Sequence, residues 1–325
     1  AAGAYSAERV QELADAWLAA LNGIAAHTRS IGAGGHTPSD FPLVATTQPE
    51  IELWERAYPT LTDVWPLSPL QTGMLFHAVF AAGSTDEYTD QSILTLAGTV
   101  DGARLRSAAQ ALLDRHDNLR VAFLETPTGP RQIVLGDVGV LWRAIDLSGL
   151  TPDGPPPSST AADEEARLLA DDRATPFATA VPPLLRFMLI RTDAERYKLV
   201  LTGHHILLDG WSTPLLVQEL LALYAAFDGV GQLAPARSYK EYLAWLGRQD
   251  AAASIAVWRN ALAGIDSATK VMSMDHLVAE SGSGATSLGL GQQTTAALTA
   301  RVRELGVTMN TAVQAAWAMV LATLT

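Results

Sequence analysis

Two adjacent histidines, a carboxylate four residues beyond the second and a glycine beside it stand in the stretch Gly203-His204-His205-Ile206-Leu207-Leu208-Asp209-Gly210-Trp211-Ser212. Imidazole has an ordinary pKa of about 6.5, so a histidine at a strand end can take or hold a proton near neutrality and act as a general base. Neighbours on a strand point to opposite faces. If His205 faces a cavity, His204 packs beneath it, and the pair divides into one chemical and one structural residue. Asp209, in the tight turn that Gly210 permits, would orient an imidazole or pair with a buried arginine, because an unpaired carboxylate in so apolar a setting is costly.

Two other readings compete. A histidine in an apolar segment is commonly a packed core residue, yet two His, an Asp and a Gly at fixed offsets across a turn are hard to explain as packing. A metal could use His205 and Asp209 at i,i+4 on a helix, but Gly210 and the preceding strand argue against a helix there, and the chain has no cysteine.

The elements that must position this stretch are legible on either side. Residues 184–191 and 196–201 read as two strands across a short turn, so a hairpin delivers the histidines. Thr213 as N-cap and Pro214 as first residue open a helix over 214–227, stopping at Asp228-Gly229. Upstream, helices are expected over 6–26 (N-cap Ser6), 49–57, 70–80, 101–114 (N-cap Asp101) and 161–173, and strands over 92–100, 133–135 and 140–145. Residues 146–160 are too rich in proline for regular structure. Downstream, helices are expected over 239–248, 251–262, 294–305 and 309–325, with Tyr242, Trp245, Ile255 and Trp258 in the core, and residues 281–287 form a flexible segment. Arg120 sits among Leu119, Val121 and Phe123, so it either snorkels to the surface or is buried and needs a carboxylate; an Arg120–Asp209 ion pair would hold the turn.

The chain has 325 residues, 48% hydrophobic, enough for a core and about two domains. No cysteine means no disulfide, no thiolate metal ligand and no thiol nucleophile. Lys+Arg 22 against Asp+Glu 34 gives a net charge of -12, which disfavours nucleic acid and anionic membrane as partners. No run approaches the ~18 apolar residues of a membrane span, and Glu8, Glu12 and Asp15 stand where a signal peptide would be basic or apolar. The reading is a cytoplasmic enzyme module.

HHxxxDG followed by Trp-Ser resembles the core motif of condensation domains of nonribosomal peptide synthetases. Three further segments are similar to that family's motifs, in its order: Leu67-Ser68-Pro69-Leu70-Gln71-Thr72-Gly73-Met74-Leu75-Phe76-His77, Arg115-His116-Asp117-Asn118-Leu119-Arg120-Val121-Ala122-Phe123, and Tyr239-Lys240-Glu241-Tyr242-Leu243-Ala244-Trp245. The resemblance implies an α/β sandwich of the chloramphenicol acetyltransferase type, a mixed sheet flanked by helices. It also implies peptide-bond formation between an upstream and a downstream carrier-bound thioester, with phosphopantetheine on the partner carrier domains and no cofactor on this chain. His205 would be base or positioner, His204 and Asp209 structural, Gly210 N–H a donor to the oxyanion, Arg120 part of a structural ion pair, and Gln71, His77, Trp211 and Ser212 would line a tunnel between two lobes.

Gly34-Gly35-His36-Thr37-Pro38-Ser39-Asp40-Phe41 carries Thr37 where a carrier domain needs its serine, and instead looks like the closing tail of an epimerization domain. The expected organisation is 1–45 tail of that upstream domain, 46–63 linker, 64–265 N-terminal lobe, and 266–325 crossover and start of a second lobe. The last helix ends in an apolar run that should bury against further structure. Together with the tail, Leu207-Leu208 and the first motif resemble condensation domains that accept a D-configured donor and an L-acceptor, and that resemblance implies the same selectivity here. An epimerization domain would show Ser then Trp after the Asp; a heterocyclisation domain would replace the histidines with aspartates. A noncatalytic docking platform, or an acyltransferase using coenzyme A, remains open; saturable binding of free coenzyme A without response to carriers would identify the latter.

Overall fold

Alternating apolar residues in 185–204 form the strand pair that reaches the two histidines, and the rest of the lobe is built onto it. The computed structural model describes residues 5–29, 34–80, 88–149, 160–226, 233–267, 269 and 288–324, in two units, Ala1–Gln249 and Asp250–Thr325. In chain order the first unit contains α1 (Ala7–His27), α2 (Gln48–Ala57), β1 (Leu61–Pro66), α3 (Pro69–Phe80), β2 (Thr89–Ala97), α4 (Gly102–Arg115), β3 (Val121–Leu124), β4 (Arg131–Leu135), β5 (Leu141–Asp146), α5 (Ala161–Ala174), β6 (Leu185–Asp193), β7 (Arg196–His204), α6 (Ser212–Ala225) and α7 (Tyr239–Leu246). The second contains α8 (Ala251–Ala261), α9 (Gln292–Glu304) and α10 (Met309–Leu324).

The strands form two sheets. One is antiparallel in the order β1-β4-β3; the other runs β2-β7-β6-β5, antiparallel except where β5 lies parallel to β6. The expected hairpin is β6–β7, with Leu185 opposite Gly203. Its inward residues Phe187, Leu199 and Leu201 meet Leu105, Leu112 of α4 and Leu216, Leu220 of α6 in the main core. The other face packs Met188, Ile190 and Val200 on Leu168 of α5. A buried strand contacting helices on both faces reads as a continuous apolar run, as Leu199-Val200-Leu201 does.

Ser6 and Asp101 cap their helices, each accepting from backbone N–H groups of the first turn. The main core reaches back into the N-terminal segment, where Phe41 is fully buried beside Ile51 and Trp54. His36 presents both its backbone N–H (2.7 Å) and Nδ1 (2.8 Å) to Glu55 Oε1.

Several expectations differ from the structure. α6 begins at Ser212, and Thr213 is not its cap. Tyr242 and Trp245 are exposed, because α7 turns Leu243 and Tyr239 toward the core, while the Tyr242 and Trp245 rings stack 5.8 Å apart on the outer side. Ile255 and Trp258 are likewise exposed on α8, which has no buried residue. The 281–287 segment, the stop at Asp228-Gly229 and most of the 146–160 loop lie outside the described residues. Among the described residues no single helix is long and apolar enough to cross a membrane.

Candidate active site

β7 ends at His204, and the chain turns immediately. His204 is 1% exposed. Its Nδ1 accepts from Ile206 N–H at 3.0 Å, and its ring lies 6.1 Å from that of Tyr88. His205 donates its backbone N–H to Tyr88 O (2.8 Å), extending the β2–β7 ladder by one bond, and its side chain is exposed. His205 Nδ1 stands 3.0 Å from Leu208 O. A carbonyl oxygen only accepts, so Nδ1 carries a hydrogen, and in the neutral ring the lone pair then lies on Nε2. The turn thereby sets the tautomer a base requires.

Among the described residues Asp209 pairs with neither an imidazole nor an arginine. Its Oδ1 accepts from Ser212 Oγ (2.6 Å), Ser212 N (2.8 Å) and Trp211 N (3.2 Å). These bonds, the Ser212 hydroxyl foremost, hold its carboxyl below the usual carboxylate range. Asp209 thus satisfies the N–H groups at the start of α6, the role expected of Thr213. Gly210 is exposed, its φ is outside the left-handed region, and a Cβ there would meet nothing within 4 Å. The turn itself does not demand glycine.

Arg120 is buried, with a different partner from the one expected. Its Nη2 meets Asp117 Oδ1 at 2.6 Å. Its other hydrogens go to Leu113 O (2.9 Å), Gly136 O (2.9 Å), Asp114 O (3.3 Å) and Leu135 O. Leu113 and Asp114 belong to the last turn of α4, whose carbonyls lack helical partners. A guanidinium with five donors satisfies them and the end of β4 together, which leaves none for a distant carboxylate.

Gln71 also differs from its expected place on a tunnel wall. It is buried, with Nε2 donating to Ile206 O (3.1 Å) and Oε1 accepting from Ser68 N (3.0 Å) and from Gln132 Nε2 (3.2 Å). Gln132 Nε2 also donates to Pro66 O at 2.8 Å. The pair braces the turn from below. His77 is exposed, its ring 6.0 Å from Tyr88; Trp211 is 87% exposed; and the Ser212 hydroxyl is committed to Asp209.

All four sequence motifs meet behind the turn. One buried cluster contains Trp65 and Leu75 with the first motif, Val121 and Phe123 of the second, Ile206 of the histidine turn and Leu243 of the last. In front of the turn a small cleft of ≈ 20 Å³ is lined by His204, His205, Gly203, Leu208 and Thr213 among others. A larger cavity of ≈ 210 Å³, which also touches Leu208 and Ser212, is bounded by His116 and Glu219. Arg115 Nε (2.9 Å) and His116 Nε2 (2.6 Å) both meet Glu219 Oε2. Burial pushes the Glu219 carboxyl up, but these bonds outweigh it and leave it below the usual range. So the second motif is also pinned to α6. Among the described residues no three His, Cys, Asp or Glu side chains cluster as a metal site would require.

The sequence reading passed over Gln132 and Glu219. Each carried a signal: a polar residue opening the apolar run Ile133-Val134-Leu135, and the one acid of α6.

The condensation-domain family model matches residues 62–325. This chain belongs to the condensation-domain family. The domain is 35% identical to one linear gramicidin synthase polypeptide of Brevibacillus parabrevis over 99% of this chain and 4% of that protein. It is 37% identical to a second polypeptide of the same synthase over 96% and 6%, and 28% identical to bacitracin synthase 1 of Bacillus licheniformis over 98% and 6%. The chain therefore spans a small fraction of these relatives' length. Among solved structures, the first condensation domain of the calcium-dependent antibiotic synthetase, in complex with a substrate analogue, superposes with a TM-score of 0.62 at 24% identity, covering 80% of this chain and 61% of that one. The starter condensation domain of rhizomide synthetase gives 0.52 at 22%, covering 62% and 50%. The mixed α/β fold of condensation domains is thus the fold of this chain.

Proposed function

We propose that this condensation domain forms the amide bond between a peptidyl thioester on an upstream carrier domain and an aminoacyl thioester on a downstream carrier. The observation that carries the proposal is the presentation of His205: four motifs converge behind Ile206, and the turn leaves Nε2 outward as the basic nitrogen. His205 Nε2 takes a proton from the incoming ammonium and passes it to solvent. The amine nitrogen attacks the donor carbonyl carbon, the C–N bond forms and the C–S bond breaks. The second nitrogen proton passes through Nε2 to the departing thiolate. No residue of the chain becomes acylated. Both substrates arrive tethered, so high effective molarity supplies much of the acceleration, and Gly210 N–H is a candidate donor to the oxyanion. Phosphopantetheine belongs to the carriers, and this chain holds no cofactor of its own.

The donor end is D-configured in this reading. Its support is the Leu207-Leu208 pair before Asp209, the first motif, and the Thr37-Pro38-Ser39-Asp40-Phe41 turn read as the tail of an upstream epimerization domain. The relatives named for synthesis of linear gramicidin and bacitracin agree with a peptide product. The test is single-turnover transfer to the acceptor carrier, followed by intact mass, with D- and L-ended donors and with His205→Ala. Transfer from the D-donor, reduced about 10²–10⁴-fold by the substitution as for loss of a general base, is the expected outcome. No transfer from either donor while both carriers bind would replace this reading with that of a docking platform.

A further inference from the structure

The cleft in front of His205 contains a carboxylate with no part in the proton transfers proposed for His205. β2 runs beside β7 with Thr89 opposite His204 and Asp90 opposite Gly203. Gln91 turns its amide to the α5 side, to Asp172 Oδ2 (2.9 Å) and Leu169 O (3.1 Å). Strand alternation therefore sends Asp90 and Ser92 to the opposite face, where both line the cleft together with His205. The residue across from Asp90 is a glycine, and a Cβ at Gly203 would come within 3.3 Å of Leu185 Cδ1 on the cleft wall. The floor beside Asp90 is thus bare backbone.

Two facts define what fits. Asp209, the neighbouring carboxylate, is committed to Ser212 and Trp211, whereas Asp90 has, among the described residues, one long contact from Ser92 Oγ at 3.4 Å. Asp90 is exposed at the cleft wall. The space is ≈ 20 Å³, about the room for one water-sized group. That accommodates a primary ammonium, which is compact, cationic and a triple donor. We infer that Asp90 is the residue that binds the α-ammonium of the acceptor in this cleft, beside His205. The inference rests on the reading of this site as an amide-forming one, and it separates two roles there: Asp90 recognises the acceptor as an amine, and His205 Nε2 moves its protons.

The test compares two stable pantetheine analogues that differ only in an α-amino or an α-hydroxyl group, binding to the protein. The wild type is expected to bind the amino analogue about fivefold more tightly, the scale of a solvent-exposed ion pair. Asp90→Asn should abolish the preference and leave affinity for the hydroxy analogue unchanged; Asp90→Glu should restore part of it. In single-turnover transfer, Asp90→Asn should raise the acceptor concentration for half-maximal rate about fivefold with the limiting rate within about twofold, while His205→Ala lowers the limiting rate. No preference in the wild type, or a preference that survives Asp90→Asn with an unchanged Tm, overturns the assignment. The binding comparison is decisive even if no donor is ever transferred, so loss of the amide-forming reading and loss of this one give different results.

Discussion

Two residues of the same type, one peptide bond apart, live in opposite environments. His204 is sealed on the inner side of the turn, with Ile206 N–H on its Nδ1 and Tyr88 alongside. His205 stands on the outer rim, fixed through Nδ1 to Leu208 O. The difference extends to their surroundings. The inner side is a closed network of Gln71, Gln132 and four packed motifs, with Arg120 securing the second motif, whereas the rim consists of exposed groups held by one short turn. Stability should therefore reside below the turn and chemistry above it, and substitutions on the two sides should separate the two properties.

The largest separation is expected at Arg120. Removing a buried guanidinium that satisfies the end of α4 and of β4 should cost about 3–5 kcal/mol, the scale for breaking a buried charged network, read as the urea midpoint of Arg120→Ala. If stability were unchanged, the inner side would not be the structural one. Next come the histidines themselves. His204→Ala leaves a cavity and an unpaired Ile206 N–H, at about 2–3 kcal/mol, while His205→Ala should stay within about 0.5 kcal/mol and still lose transfer. Equal thermal shifts for the two would erase the comparison. Gln132→Ala should cost about 1–3 kcal/mol, because it leaves Pro66 O and Gln71 Oε1 short of donors in a buried setting. It should also slow transfer, since Gln71 holds Ile206 O through the same network.

The architecture was legible wherever one face of an element had to be apolar. The β6–β7 hairpin, the caps at Ser6 and Asp101 and the helices beside them follow from periodicity and short-range capping. Partner choice was not legible. The sequence leaves Arg120 open between snorkelling and burial, and gives no sign that nearby carbonyls of α4 and β4 absorb its donors, because backbone acceptors leave no mark in sequence. Asp209, expected to orient an imidazole or pair with a buried arginine, instead caps the next helix, since Ser212 three residues away is entropically cheaper to engage than any distant cation. Gln132 was missed for a related reason: a single glutamine in a strand looks like noise until its partner on another element is known. Tyr242 and Trp245 show the reverse error: helical spacing of aromatics predicts an inward face, whereas Leu243 and Tyr239 are the residues of α7 that pack on the cluster.

The smallest expected effect concerns the carboxylate that the rim holds in place. Ser212 and Trp211 stabilise the ionised form of Asp209, so its carboxyl lies below the ordinary value in the folded protein. A carboxyl depressed on folding contributes stability that is fully present above its unfolded pKa, about 3.9, and is lost as pH falls through the lower folded value. Asp209→Asn retains a capping side chain but removes the titration. The wild type should accordingly exceed Asp209→Asn in stability at pH 7 by no more than about 1 kcal/mol, the usual range of an exposed helix cap, and the gap should close below about pH 4. Comparing the two proteins at each pH cancels the other depressed carboxyls, Asp40, Glu50 and Asp163 among them, which are common to both. A gap that persisted unchanged at pH 3 would mean that Asp209 holds the rim through shape rather than charge, and the exposed side of the turn would then resemble the buried one more closely than its hydrogen bonds imply.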